Sequence, residues 1–399
     1  MSQDIKRAVK EAIRRGLEEG IVPTMPFAAF GFSEDPFSDN LPDKNEYSFY
    51  ERKDPLISVV EKMARCIKSN TGFLVVGPGD VGKTIALKHA ARLFNEEMEK
   101  SGYMADYIDA KSWILNHNNG KPDKGEKTDF KNGFDQWLVD TDFSKTSILI
   151  IDHADAVLER LDVYCREIRA EVGEKPFCIV CVLSPLVYAL MLQDMPEIKD
   201  EFFADVLWIR PMKKEEIICL LKARMDSVRM ENFTKELKDA EITPFTEESL
   251  NLIAEHSFGL PGLALYIARE CMRQAHDFGK DMIDKDIVDF SARALGFDVA
   301  RQIVESKLKF SKTKREILES VVIRGSFATI QKGVTGQELL QKLEVAPSTL
   351  SYHFQDMSSK GVLVGARIGL NVFYRVKRPV KDALEIIFSP VTLMVSVHA

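Results

Sequence analysis

The residues with the clearest chemistry stand in the stretch GPGDVGKT, in which Gly77 and Gly82 are separated by four residues and followed by Lys and Thr. In such a loop the backbone N–H groups curve around phosphates, the lysine reaches the terminal phosphates, and the hydroxyl ligates Mg²⁺. The apolar run GFLVV precedes it and TIALKHAARLF follows, the strand–loop–helix context that the motif requires. We predict that ATP or ADP binds here with Mg²⁺, through Gly77, Pro78, Gly79, Asp80, Val81, Gly82, Lys83, Thr84 and Ile85.

Four further polar residues stand where later apolar runs end. Asp152 ends the run SILIID, and an acid at the end of a buried strand can hold Mg²⁺ together with the loop threonine. His153 follows directly, and Asp155 could either act on water or cap the next helix. Ser184 ends PFCIVCVL and could contact the γ-phosphate and the attacking water, or simply begin a helix with the proline after it. These four residues are the predicted catalytic set.

Alternation of apolar strands with helical patterns predicts the fold that must position these side chains. We place strands at 72–76, 103–109, 147–152, 177–183 and 206–209. Strands separated by helices form a parallel sheet with helices on both faces, so the class is α/β. After Pro211 the pattern is helical only, which indicates a lid subdomain. The predicted domains are an N-terminal helix and extended segment, a nucleotide-binding core, the lid, a basic module and an apolar tail, at residues 1–46, 47–211, 212–305, 306–380 and 381–399.

The charge distribution separates the basic module from the rest of the chain. Residues 309–378 carry twelve Lys and Arg against five Asp and Glu, a formal charge of +7. The whole chain has a charge of −7, so the remainder carries −14. A basic module on an acidic body indicates two parts with different partners.

Within the basic module, the pattern is helix, helix, helix and hairpin, which is typical of a winged helix-turn-helix. The run STLSYHFQDMSSKG is predicted as its third helix, with Leu350, Phe354 and Met357 on the inner face. The outer face carries short and hydrogen-bonding groups suited to phosphates and base edges, and a basic residue stands near the hairpin tip. We therefore predict double-stranded DNA as a partner, contacted by Ser348, Thr349, Ser351, Tyr352, Gln355 and Arg367.

Composition excludes several other classes of protein. The first residues, MSQDIKRAVKEAIRR, are charged and helical, unlike a signal peptide, and no run is long enough for a membrane span, so we expect no membrane partner. Six scattered cysteines indicate reduced thiols in the cytoplasm. Cys178 and Cys181 lie inside a predicted strand, where residues three apart point to opposite faces, so they are not expected to bind metal.

The motifs together resemble the AAA+ and STAND branches of P-loop ATPases. The lid phrase PFTEESLNLIAEHSFGLPGLALYIARECMRQA is similar to the lids of archaeal origin-initiator ATPases, which also end in a winged helix. The resemblance covers about residues 47–378. It implies that Pro261, in the turn GLPG, lies against the nucleotide, as the Gly-x-Pro turn does in STAND proteins.

Two departures from the AAA+ pattern predict slow hydrolysis. His153 stands where many of these ATPases place the glutamate that activates water, and Gly262 replaces the phosphate-sensing arginine of the lid. No arginine finger is evident in MPEIKDEFFADVLWI, which offers Lys199, and Arg160, Arg166 and Arg169 are alternatives.

Three functions compete on these grounds. The leading hypothesis is an ATP-switched DNA-binding protein, acting as a replication initiator or a transcriptional regulator. The second is a STAND-type signalling scaffold whose winged helix makes protein contacts, and a homo-oligomer is open in either case. The third, a fast remodelling ATPase, is disfavoured by His153.

Overall fold

The computed structural model describes residues 26–38, 53–110, 134, 137–138, 141, 143, 146–230, 242–305, 308–327, 333–341, 343 and 345–388. The N-terminal helix predicted at residues 1–20 and the chain after residue 388 lie outside these ranges. Among the helices that are described, none combines the length and the apolar character needed to cross a membrane.

A parallel sheet of five strands forms the centre of the nucleotide-binding core. Its strands are β1 Gly72–Val76, β2 Met104–Asp109, β3 Thr146–Asp152, β4 Cys178–Leu183 and β5 Phe203–Trp208. Their spatial order is β2-β3-β4-β1-β5, and every described pairing is parallel. All residues of β1, β3 and β4 are buried, because a strand covered on both faces has no solvent side to place polar residues on. The predicted α/β class is confirmed.

Helices cover both faces of this sheet. In chain order they are α1 Pro26–Ala29, α2 Lys53–Ser69, α3 Lys83–Met98, α4 Leu161–Val172, α5 Pro185–Asp194 and α6 Pro196–Phe202. Successive strand residues point to opposite faces. Phe73 therefore packs in one apolar layer with α2 and α3, and Leu74 packs in the other with α4, α5 and α6. Cys178 and Cys181 are divided between the two layers in the same way, as predicted.

The lid consists of helices that continue the core of the α2 and α3 layer. They are α7 Lys214–Ser227, α8 Glu247–His256, α9 Pro261–Asp277, α10 Lys285–Leu295 and α11 Phe297–Val304. The hydroxyl of Thr246 caps α8 and the carboxylate of Asp284 caps α10, each accepting from a backbone N–H of the first turn. Buried residues of α8, α9 and α10 share one apolar cluster with the sheet, so the lid is packed onto the core.

The basic module has the element order that the sequence predicts for a winged helix. Its elements are α12 Lys312–Phe327, β6 Val334–Thr335, α13 Gly336–Leu340, α14 Pro347–Ser359, β7 Val364–Ile368 and β8 Asn371–Arg375. The three strands form an antiparallel sheet in the order β6-β8-β7. Phe354 of α14 stacks on Tyr374 of β8, with ring centroids 3.9 Å apart. Ala300 and Ile303 of α11 belong to the same apolar cluster, so this module packs on the end of the lid.

A last helix, α15, spans Arg378–Phe388 and changes our interpretation of the C-terminal segment. The boundary that we drew between residues 380 and 381 falls inside this helix. Its first part is amphipathic, so the description of residues 381–399 as an apolar tail does not hold there. Val380, Ala383 and Leu384 are buried in the cluster of the basic module, while four charged residues share the opposite face, namely Arg378, Lys381, Asp382 and Glu385.

Candidate nucleotide site and helix-turn-helix surface

The phosphate loop lies between β1 and α3, at the carboxyl end of the sheet. Asp80 and Gly82 adopt left-handed backbone conformations, with φ of 55° and 91°, and α3 begins at Lys83. Gly77 passes so close to the residue after β5 that a Cβ there would lie 2.8 Å from the carbonyl oxygen of Ile209. Gly77 and Gly82 thus give the loop its shape, which turns backbone N–H groups inward beside the positive end of α3. Val81 is buried, and Ile85 is exposed on the first turn of α3.

Lys83 sits at the centre of this loop. Its ammonium donates to the carbonyl oxygens of Gly77 at 2.6 Å and of Pro78 at 2.7 Å. Burial lowers the pKa of Lys83, while the nearby carboxylates of Glu385 and Asp155 act in the opposite direction. A cation held here with little water around it attracts an anion more strongly than an exposed lysine does.

Thr84 and Asp152 meet at the position predicted for Mg²⁺. The Thr84 hydroxyl donates to Oδ2 of Asp152 at 2.6 Å, and Asp152 is 1% exposed at the end of β3. Among the described residues, no group of three or more His, Cys, Asp or Glu side chains could hold a metal ion by itself. A hydroxyl and a carboxylate fit Mg²⁺, which takes few protein ligands and completes its shell with phosphate oxygens and water.

Tyr107 and Asp109 complete this part of the site, although neither is predicted from the sequence. The Tyr107 hydroxyl donates to Oδ2 of Asp152, and burial together with the charge of Asp152 raises the pKa of Tyr107. Asp109 ends β2 beside Asp152, and its Oδ1 lies 3.0 Å from Nδ1 of His153. One sequence signal could have identified these residues: they lie at the end of the second strand, and pairing of parallel strands places that end next to the end of the third strand.

His153 follows β3 directly, and Asp155 lies in the short 3₁₀ segment that comes next, Ala154–Arg160. The imidazole of His153 faces Asp109, and its backbone is left-handed, with φ of 52°. Asp155 is not the helix cap, since its Oδ1 accepts from the backbone N–H of Ser184 at 2.9 Å. Burial raises the pKa of Asp155, and the bond from Ser184 opposes that shift. The Ser184 hydroxyl caps α5 through a long bond of 3.5 Å from Val187 N–H.

The lid touches the loop through its GLPG turn. The backbone N–H of Gly262 donates to the carbonyl oxygen of Asp80 at 2.9 Å, and Pro261 faces Gly82. A Cβ at position 262 would lie 2.8 Å from Cβ of Asp80. This close approach of two backbones explains why a glycine, rather than an arginine, occupies the position.

The charged face of α15 also contacts the loop. The backbone N–H of Gly79 donates to Oε2 of Glu385 at 2.7 Å. The guanidinium of Arg378 binds both carboxylate oxygens of Asp80, the Nη2 bond being 2.6 Å long. Glu385 and Asp382 are 1% and 2% exposed. These contacts are not predicted from the sequence, although the charged residues recur at helical spacing.

The outer face of α14 has the exposure that was predicted for it. Leu350, Phe354 and Met357 are buried, and Tyr352 is 64% exposed. Arg367 lies on β7, paired with Val372 one step from the hairpin turn, and its side chain is exposed. The structure therefore leaves on the surface all six predicted DNA contacts, which are Ser348, Thr349, Ser351, Tyr352, Gln355 and Arg367.

Part of the basic charge of this module is used within the protein. Lys314 and Lys360 both pair with Asp356, at 2.6 Å and 2.9 Å. These hydrogen bonds, that from Lys314 first, lower the pKa of Asp356 to about 2. Arg378, which we counted with the module, pairs with Asp80 of the phosphate loop instead. The positive charge that this module offers to a ligand is therefore smaller than its formal charge of +7 suggests.

Comparisons with known proteins agree with the resemblance drawn from the sequence. No protein-family model matches the chain. It is 24% identical over 241 residues to an uncharacterized HTH-type transcriptional regulator of Methanocaldococcus jannaschii, a match that covers 60% of this chain and 55% of that protein. The chain thus spans about half the length of this relative.

Solved structures give matches along most of the chain. The Aeropyrum pernix ORC2 protein in ADPNP and ADP complexes is 14% identical, with 92% of this chain and 100% of that one covered and a TM-score of 0.48. The Aeropyrum pernix ORC1 protein in complex with DNA is 14% identical, with 92% and 98% covered and a TM-score of 0.49. For Cdc6p of Pyrobaculum aerophilum the identity is 16%, the coverage 91% and 99%, and the TM-score 0.45. All three of these structures have TM-scores below 0.5 and identities of 16% or less to this chain.

Proposed function

We propose that this protein binds ATP with Mg²⁺, hydrolyses it slowly, and uses the nucleotide to control a winged helix that binds double-stranded DNA. The observation that carries the proposal is the arrangement of Lys83, Thr84 and Asp152 around one loop at the carboxyl end of a parallel sheet. The relatives contribute only context, since one is solved with ADPNP and ADP and another with DNA.

Each residue of the loop has a distinct part in nucleotide binding. The backbone N–H groups of residues 79–84 would cradle the phosphates, and Lys83 would exchange its two carbonyl partners for phosphate oxygens. Thr84 and Asp152 would hold Mg²⁺, which neutralises phosphate charge when it is bound. Tyr107 keeps the carboxylate of Asp152 oriented by donating to it. Pro261 would close the loop from the lid side.

The residues near the γ-phosphate position support slow turnover. His153 can donate to or accept from water, but it lacks the fixed negative charge of a glutamate, and Asp109 holds its ring. Asp155 is engaged by the N–H of Ser184, with a raised pKa. Ser184 keeps its hydroxyl near the first turn of α5, so its part in positioning water stays a prediction.

DNA binding is proposed for the outer face of α14 and the hairpin of β7 and β8. The exposed hydroxyl, amide and phenol groups of α14 suit a major groove, and Arg367 suits the adjacent backbone or minor groove. The STAND-type scaffold remains the second candidate. It is favoured by the apolar cluster that the basic module shares with α11, because a module docked on the lid could be held closed.

The test is a titration of the full chain with a fluorescent ATP analogue and a fluorescent duplex, each with and without the other. The proposal expects nucleotide binding that requires Lys83, and duplex affinity that changes when the nucleotide is added. Nucleotide binding without affinity for any duplex at low salt would favour the scaffold. Failure to bind the nucleotide would remove the proposal itself.

A further inference from the structure

Helix α15 presents two chemically different faces to two different parts of the protein. Val380, Ala383 and Leu384 pack into the cluster that also contains α11 and the winged-helix module. On the opposite side, the charged residues follow the spacing i, i+3, i+4 and i+7, which forms one face of a helix. That face is turned toward the phosphate loop, and it consists of Arg378, Lys381, Asp382 and Glu385.

The contacts of this face are made with the groups that would otherwise surround a phosphate. Gly79 donates its backbone N–H to Glu385 at 2.7 Å. Oδ1 of Asp382 is so close to Gly79 that it would lie 2.5 Å from a Cβ placed there. Arg378 binds Asp80 through both carboxylate oxygens and lies over the ring of Tyr266, 5.2 Å from its centroid. The loop is thus in contact with two buried carboxylates.

Acidic and basic side chains lie close together in this region, and the carboxyl groups outnumber the cations. Asp80, Asp382 and Glu385 face three cations, Lys83, Lys381 and Arg378, and Asp155 faces the same two lysines. A carboxylate and a phosphate oxygen accept the same hydrogen bonds from a backbone N–H and are attracted by the same lysine. Phosphate groups added beside Asp382 and Glu385 would therefore repel them while competing for their donors.

We propose that α15 is an internal competitor for the phosphate site, with Glu385 and Asp382 standing where nucleotide phosphates must bind. The inference rests on the proposed nucleotide site. In this state the loop is closed by the protein's own C-terminal helix, and nucleotide binding displaces that helix. Only Val376 and Lys377 separate α15 from β8, so its displacement pulls directly on the hairpin of the winged helix.

Competition of this kind lowers the apparent affinity for nucleotide by the fraction of molecules whose loop is open. The double variant Glu385→Gln, Asp382→Asn keeps the side-chain volumes and replaces the two carboxyl groups with neutral amides. If the closed state predominates about ten to one, this variant binds a fluorescent ATP analogue about tenfold more tightly than the parent. Glu171→Gln, which removes an exposed carboxylate at the end of α4, is the matched control and leaves the affinity unchanged.

A second measurement follows the helix itself in the unmodified full chain. We expect saturating ATP and Mg²⁺ to speed the exchange of backbone amide hydrogens with deuterium in residues 378–388. Lys83→Ala, which cannot hold the phosphates, should show no such change at the same concentrations.

The outcomes separate this inference from the proposed function. Nucleotide binding with equal affinity in the parent and the double variant, and with α15 still protected, overturns the competitor and leaves the nucleotide site standing. No binding by the parent, the double variant or the control overturns both. Tighter binding by the double variant together with faster exchange in α15 supports the inference.

Discussion

The polar groups of the phosphate loop are largely engaged within the protein, whereas those on the outer face of α14 point to solvent. Lys83 binds two carbonyl oxygens, Asp80 binds Arg378, and Gly79 binds Glu385. On α14, Tyr352 is 64% exposed. A ligand at the loop must replace existing bonds, while a ligand at α14 displaces mainly water. The comparison predicts large effects from single substitutions at the loop and small, additive effects on α14.

The largest effect is expected from Lys83→Ala. In this variant the bound phosphates lose the charge-assisted hydrogen bonds that the ammonium of Lys83 donates. Each such bond contributes roughly 1.5–3 kcal/mol, so ATP affinity should fall about a hundredfold or more. The protein should stay folded, because Lys83 contacts loop carbonyls rather than the apolar core, but loss of a cation beside Glu385 and Asp155 should lower the melting temperature. Calorimetric titration with ATP measures the loss, and Lys68→Ala, an exposed lysine at the end of α2, is the control. Affinity equal to that of the parent would contradict the site.

His153→Glu tests the catalytic half of the loop region. A fixed carboxylate at this position should accelerate hydrolysis, since loss of a general base costs typically 10²–10⁴-fold. The left-handed backbone of His153 costs any non-glycine residue about 1–2 kcal/mol, so the new side chain adds little strain beyond that of the parent. Phosphate release under steady-state conditions gives the rate. His153→Gln supplies no charge and should not accelerate; an equal gain in both variants would show that charge is not the cause.

On the outer face of α14, each substitution should have a modest effect on DNA binding. Tyr352→Ala or Gln355→Ala should reduce the preference among duplex sequences by about 1–3 kcal/mol for each base edge that the side chain no longer reaches. Fluorescence anisotropy with a panel of duplexes gives the discrimination. A loss of affinity that is the same for every duplex would mean that these side chains read no base.

Arg367→Ala should weaken binding to every duplex and reduce its dependence on salt. For about five neutralised phosphates the log–log slope is roughly −4 to −5, and removing one cation from the interface should reduce it by about one. Lys285→Ala on the lid, far along the chain from the winged helix, is the control. A slope that stays the same in both variants would place Arg367 outside the interface.

The smallest effect concerns pH and Asp356. Its pKa is lowered to about 2 by Lys314 and Lys360, below the unfolded value of about 3.9. A lowered pKa contributes stability that is present above about pH 3.9 and is lost as the pH falls through about 2. Asp356→Asn should therefore lower the melting temperature slightly at pH 7, and the difference should shrink toward about pH 2.5. If the difference in melting temperature between parent and variant were the same at pH 7 and at about pH 2.5, the ion pairs of Asp356 would not be its source.

Local patterns were sufficient to predict β1 to β4 to within one residue, the phosphate loop and the inner face of α14, whereas the strand predicted at 206–209 spans Phe203–Trp208. Gly72–Val76 was predicted with the bounds that the structure has, because Thr71 before it and the glycine loop after it interrupt the apolar run. Leu350, Phe354 and Met357 follow helical spacing and are buried together. In these cases the residues of one short segment are enough to determine its secondary structure and its buried face.

The rest of the site depends on contacts between distant parts of the chain. Gly79 and Glu385 are separated by 306 positions, and no local pattern in either segment indicates the other. The presence of glycine at position 262 is explained only by its close approach to Asp80, because two loops together limit the space for a side chain there. The charged face of α15 was detectable from its spacing, but the apolar residues after Leu384 obscured it.

The cluster shared by α11 and the winged-helix module determines where the chain can be cut. Ala300 and Ile303 contribute buried surface to the same cluster as Leu350 and Val380. A fragment that starts at residue 306 would expose those partners to water and lose part of its interior, at roughly 25 cal/mol for each Å² of apolar surface uncovered. A fragment that starts at Gly296, where the left-handed glycine already ends α10, would retain α11. We therefore expect the C-terminal module to fold on its own only when it keeps a helix that the sequence assigns to the lid.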